Sequence, residues 1–145
     1  MKKRALVLAA LLALFPLAAL ADGEGKHVAF HVDENDPKLM NLTLNNVRNV
    51  TAYYEAQGIP VYIEVVTYGP GLNMLIEGKS PVAERIAVMG LEMDNVTFAA
   101  CANTMNNMKK KTGKEVVLLD EATIVPSGVV RLVELQEQGW AYIRP

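Results

Sequence analysis

Two spacings of apolar residues take turns along this chain, and their alternation predicts its architecture. His27 to Asp33, the β-branched run Val61 to Thr67, Asn95 to Ala100, Glu115 to Leu119 and Trp140 to Ile143 read as five strands. Between them the period becomes helical. Asp36-Pro37 supplies an N-cap and first-turn proline for a long helix, whose stripe runs through Met40, Leu44, Val47, Val50 and Tyr54 and which Gly58 ends. The turn Tyr68-Gly69-Pro70-Gly71 leads into a short helical piece carrying Leu72, Leu75 and Ile76. Ser80-Pro81 opens a further helix, with Val82, Ile86 and Met89 inward and Gly90 as its stop. Another runs from Cys101 to Lys109-Lys110-Lys111-Thr112-Gly113. Pro126-Ser127-Gly128 opens the last, with Val129, Val130, Leu132 and Val133 on its buried side and Gly139 at its end. The alternation predicts an α/β fold, a three-layer α/β/α sandwich around a mainly parallel five-stranded sheet.

The beginning of the chain changes what counts as the folded protein. Lys2, Lys3 and Arg4 precede an apolar run from Ala5 to Leu17, interrupted by Pro16, and Ala19-Leu20-Ala21 forms a small-x-small cleavage pattern. The run is shorter than the roughly 20 residues of a membrane-spanning helix. Residues 1–21 are therefore expected to be a cleaved signal peptide, and residues 22–145 a single periplasmic domain with no membrane attachment after cleavage. Cleavage leaves eleven basic residues against sixteen acidic ones, a net charge of −5. That balance argues against nucleic acid or anionic lipid as partner, since both require a positive footprint.

Export also gives weight to the single cysteine. Cys101 has no partner for an internal disulfide, yet the expected compartment is oxidising, so its thiol is either buried and inert or kept for its reactivity. It falls where the third strand passes into a helix. A cysteine at a helix start meets aligned backbone N–H groups that favour the thiolate. Parallel sheets place their crevices outside the carboxyl ends of the strands, and three loops there carry groups suited to a small site. These are Gly69 and Gly71 around Pro70, Asn103 and Thr104 beside Cys101, and Ser127-Gly128. His31 and Asp33 close the first strand on one face, with His27 on that face as well. Cys101, Met105 and Met108 also recur at helical spacing, a pattern of soft donors that suits Cu(I) but more commonly fills a core. Asp33-Glu34-Asn35-Asp36 has the acidity of a calcium loop, but Pro37 and the lack of a downstream glutamate make helix capping the better explanation.

His31-Val32-Asp33-Glu34, Asp36-Pro37 and Leu44-Asn45-Asn46-Val47-Arg48-Asn49 resemble the opening of a DsrE/DsrF-like protein. Tyr68-Gly69-Pro70-Gly71-Leu72, Ser80-Pro81-Val82-Ala83 and Ala100-Cys101-Ala102-Asn103-Thr104-Met105 are similar in order and spacing. So are Val125-Pro126-Ser127-Gly128-Val129-Val130 and the ending from Leu135-Gln136 to Gly139-Trp140-Ala141-Tyr142-Ile143. The resemblance implies the same α/β/α fold and assembly into a homotrimer or homohexamer. It also implies that Cys101 handles sulfur as a persulfide, passed between a donor and an acceptor protein. In that reading no resident metal or cofactor is expected, and the function is carriage more than turnover. The alternative from a different class is a non-enzymatic oligomeric module that binds a small ligand or a soft metal such as Cu(I). Exposure of the Cys101 sulfur discriminates the two: a pocket-facing thiol favours the carrier and a sealed one the module.

Overall fold

In a computed structural model that describes residues 25–145, five parallel strands form one sheet in the order β4-β3-β2-β1-β5. They are β1 (Lys26–Val32), β2 (Val61–Thr67), β3 (Val96–Cys101), β4 (Ala122–Val125) and β5 (Ala141–Ile143). The expected signal peptide lies outside the described residues. Four α-helices, α1 (Pro37–Glu55), α2 (Ala83–Glu92), α3 (Ala102–Thr112) and α4 (Gly128–Glu137), and a 3-10 helix (Gly69–Leu75) make the connections.

The strand order dictates where the helices go. From β1 to β4 each strand adds on the same side of the last, and right-handed crossovers then keep their helices on one face. The chain next returns past β1 to lay down β5, and that reversal sends α4 to the other face. The core divides accordingly. Phe30, Val32, Ile63, Val65 and Phe98 pack with Met40, Leu44 and Val47 of α1, with Leu72 and Leu75, and with Ile86 and Met89 of α2. On the opposite face the alternate residues Ala29, Val66 and Ala99 meet Leu132 and Leu135 of α4.

Asp36 caps α1 by accepting from the Lys38 N–H at 2.8 Å, and Pro37 occupies the first turn. Capping thus accounts for Asp36 in the acidic run before this helix. On the second face Glu64, in the middle of β2 and only 6% exposed, receives two hydrogen bonds from Arg131 of α4 at 2.7 and 2.6 Å. A buried carboxylate requires such a partner, and the paired fork of bonds fixes how α4 lies across the sheet.

Three expectations are corrected. Glu115 to Leu119 is not the fourth strand: it makes one antiparallel bridge, Leu118 with Ile76, and hydrogen bonds to Leu75 and Glu77. Ala122–Val125 pairs with β3 instead. Strand propensity measures fit to a pleated, half-buried surface and does not choose the partner. Gly90 does not stop α2, which continues to Glu92. A Cβ there would lie 2.8 Å from Cγ of Glu121, so close approach explains the glycine. In α4 the buried positions are Gly128, Leu132 and Leu135, while Val129, Val130 and Val133 are about half exposed. The helix carries more apolar residues than its narrow contact with the sheet can cover.

Arg131→Met strands the Glu64 carboxylate in the core and is expected to cost about 3 kcal/mol, the lower end for a broken buried pair because Arg131 is partly exposed. The double variant Glu64→Met/Arg131→Met should recover most of the loss. Denaturant unfolding of both variants checks this.

Candidate functional site

The reversal that places α4 also makes a crevice. At the neighbouring carboxyl ends of β3 and β4 the chain leaves toward opposite faces, into α3 and α4 respectively. Such a switch point is where open α/β sheets bind ligands. Cys101 stands there as the last residue of β3, level with Val125 of β4, and as the N-cap of α3. The Asn103 N–H donates to the Pro126 carbonyl at 3.3 Å and ties the two departures together.

The sulfur is surrounded by donors. Its N-cap position brings in the Thr104 N–H at 3.4 Å. The Thr104 hydroxyl and the N–H groups of Gly128 and Asn103 also favour its anion. Burial alone would push the thiol upward, but these four donors outweigh it and hold Cys101 below the ordinary thiol range. Two helix N-termini therefore converge on one atom, and both favour negative charge. Gly128 has a steric reason to be glycine: an added Cβ would lie 2.8 Å from Cδ1 of Tyr68. The Tyr68 ring packs on the start of α4, and Cys101 is only 3% exposed. By the exposure criterion this is a sealed thiol, and by its donors it is an anion-stabilised one.

Beyond Tyr68 lies a second polar cluster. His31 stacks on Tyr68 with ring centroids 4.8 Å apart, and its Nδ1 is 2.6 Å from the Tyr142 hydroxyl. The His31 Nε2 is buried without a hydrogen-bond partner, its nearest carboxylate oxygen being Oδ2 of Asp33 at 3.7 Å. Burial lowers the His31 pKa more than Asp33 raises it, and Arg144 lowers it further, so the ring is neutral at pH 7. Burial also raises the Tyr68 phenol, with added repulsion from Asp33, Tyr142 and Cys101. Arg144 donates to Asp33 at 3.0 Å and to Glu34 at 3.0 Å, which accounts for the rest of the acidic run.

The expected site residues thus separate. Cys101 and the Thr104 N–H meet at the sulfur, and the Gly128 N–H favours its negative charge. Gly69 joins them indirectly, donating its N–H to Oγ1 of Thr104 at 2.9 Å. Asn103 contributes only its backbone, since its side chain is exposed, and Ser127 caps α4 without a side-chain hydrogen bond. Gly71 serves the fold: a Cβ there would sit 2.2 Å from the Val32 carbonyl oxygen. His31 stacks on Tyr68, and His27 stacks on Tyr62 and meets Trp140 at a tilt. Met105 and Met108 are partly buried and pack against the first-face core. Tyr142 and Arg144 went unrecognised as site residues. Their only signal was the two-residue spacing from Tyr142 to Arg144 along the last strand, which places both beside His31 and Asp33. A cleft of about 280 Å³ opens between the 3-10 helix and α3, lined by Gly69, Pro70, Asn73, Thr104, Met108 and Lys111 among others.

No family model matches the chain, and no curated protein does. A solved structure does: the protein of unknown function MTH1491 from Methanobacterium thermoautotrophicum. It is 37% identical, the match covers 83% of this chain and 99% of that one, and the TM-score is 0.71.

A thiol whose folded pKa is depressed adds stability that is present above its unfolded pKa, near 8.5, and is lost as pH falls through the folded value. The unfolding free energy of the wild type minus that of Cys101→Ser is therefore expected to rise between pH 6 and pH 9. Serine is a good N-cap, so the variant provides a pH-flat reference. Urea melts across that range check the slope, and a flat or falling difference contradicts it.

Proposed function

The chain belongs to one family with the methanogen protein MTH1491, and from that premise and the site's geometry we propose that it carries sulfur on Cys101. In this reading it is an exported, periplasmic protein of the DsrE/DsrF-like type. The observation that carries the proposal is Cys101 as the N-cap of α3, its Sγ accepting the Thr104 N–H at 3.4 Å, with the nearby Gly128 and Asn103 amides also favouring the anion. A structural thiol in a core gains nothing from them, whereas a thiolate or a persulfide anion requires donors of this kind. The chemistry is thiol–disulfide exchange. The Cys101 thiolate attacks a sulfane sulfur of the donor, an S–S bond forms to Sγ, and the donor's own S–S bond breaks as it leaves as a thiolate. Attack by an acceptor thiolate on the outer sulfur reverses the loading.

The burial of Cys101 favours the second reading, an oligomeric binding module in which the thiol is an inert helix cap. The two separate in one experiment. After incubation with polysulfide, the carrier is expected to gain the mass of added sulfur, the gain to vanish with reductant, and Cys101→Ser to show none. An unloaded wild type whose thiol reacts with a maleimide only after denaturation establishes the module instead.

Assembly into a homotrimer or homohexamer is part of the same proposal. Its support is the half-exposed valine ridge of α4, Val129, Val130 and Val133, together with Tyr62 and Tyr142 on the sparsely covered second face. Light scattering at micromolar concentration is expected to report a mass well above one subunit. Val130→Glu/Val133→Glu should shift it toward one subunit, and a monomeric wild type removes this part of the reading.

A further inference from the structure

One buried nitrogen on the second face is left without a partner. His31 is 5% exposed, and its Nδ1 lies 2.6 Å from the Tyr142 hydroxyl, while Nε2 is buried and makes no hydrogen bond. A neutral imidazole carries one proton and one free lone pair on its two nitrogens, so either tautomer fits a bond at Nδ1. The atom opposite Nε2 decides between them. Oδ2 of Asp33 is 3.7 Å away, too far for a hydrogen bond, yet near enough for its charge to repel a lone pair and attract an N–H. Nε2 therefore carries the proton, Nδ1 is the acceptor, and the Tyr142 hydroxyl points its own proton inward.

The same surroundings suit one more proton. Asp33, just after β1, is paired with Arg144, just after β5, and Glu34 is bound to the same guanidinium at 3.0 Å. Two carboxylates against one guanidinium leave this cluster at −1, which a single proton neutralises. Tyr68, following β2, stacks on the imidazole with centroids 4.8 Å apart, and the electron-rich face of a phenol favours a cation. The proton has to bind at Nδ1, the only ring nitrogen with a lone pair. Nδ1 then becomes a donor to the Tyr142 oxygen, and the hydroxyl proton that pointed at it has to turn away.

We propose that His31 and Tyr142 form a proton-operated switch on the second face, in which one proton bound at Nδ1 turns the Tyr142 hydroxyl from a donor into the fold to a donor out of it. No other reactant is needed: an N–H bond forms at Nδ1, the imidazolium faces Asp33, and the bond to Tyr142 persists with its direction inverted. Tyr142 is 42% exposed, so the reversal reaches the surface. What the switch controls rests on the assembly reading, in which Tyr142 belongs to the covered face. An outward hydroxyl proton has no acceptor in an interface packed for the inward one, so acid loosens the assembly.

Two measurements test it. The chain has two histidines, His27 and His31, so magnetic resonance of nitrogen-labelled histidine, with His31→Gln to assign the signals, reads this ring alone. Near neutral pH the proton is expected on Nε2 and not on Nδ1. On acidification Nδ1 gains one, with a midpoint below the ordinary histidine value of about 6.5, because burial opposes the charge. A neutral ring protonated on Nδ1, or one that takes up no proton before the chain unfolds, overturns the switch. Light scattering over the same range is expected to show the wild type falling toward one subunit at the His31 midpoint, with far-ultraviolet circular dichroism unchanged. Tyr142→Phe keeps the aromatic ring, removes only the hydroxyl and should lose this step, as should His31→Gln. A Tyr142→Phe variant that dissociates like the wild type overturns the role of the hydroxyl. A wild type already monomeric near neutral pH defeats the assembly reading alone, and the nitrogen measurement still decides the switch.

Discussion

One short helix has to cover a whole face of the sheet, and most of this structure follows from how it does so. The return of the chain past β1 sends α4 alone, among the described elements, onto the second face. Ten residues cannot bury five strands there, so contact is concentrated. Leu132 and Leu135 descend onto the small side chains of Ala29 and Ala99, and Arg131 locks onto Glu64 from above. The ion pair is not a source of great net stability, because desolvation offsets much of the attraction. Its contribution is to forbid other placements, since any shift of α4 leaves a buried carboxylate unpaired.

That placement is also what makes the chemistry. With α4 anchored at Glu64, its first turn is delivered toward the end of β3, where the Gly128 N–H favours negative charge on the Cys101 sulfur. The same first turn has no Cβ at Gly128, which lets Tyr68 close over it. Tyr68 then separates two environments of opposite character. On one side is a sulfur held toward its anion, and on the other a neutral imidazole stacked on the ring and bonded to Tyr142. The site combines stabilised negative charge with exclusion of water, which strengthens each hydrogen bond within it.

The sequence made much of this legible, and the failures have a common cause. Local chemistry announced α1 through Asp36-Pro37, the end of α3 through Gly113, and β2 to the residue. Cys101 at a strand–helix boundary was visible too, because propensity and periodicity change there. What stayed hidden depends on partners distant in sequence. Val116 to Leu119 is a more continuous apolar run than Ala122–Val125, yet the latter lies beside β3. The valines of α4 gave no sign of which side would be covered. The burial of Cys101 was unreadable because it depends on segments distant in sequence. Glu64, a lone acid inside an apolar strand, was the overlooked signal that something on the second face must answer it.

The predominance of backbone donors at the sulfur has a consequence for descent. A main-chain N–H survives every substitution except proline, so the cradle around position 101 persists as long as the crossing of α3 and α4 does. Related chains can drift at almost every side chain bordering the crevice and still present an anion-receptive hollow of the same shape. Only the cysteine need be retained for thiolate chemistry. A lineage that loses the sulfur keeps the hollow, free to be adopted for a different negatively charged guest.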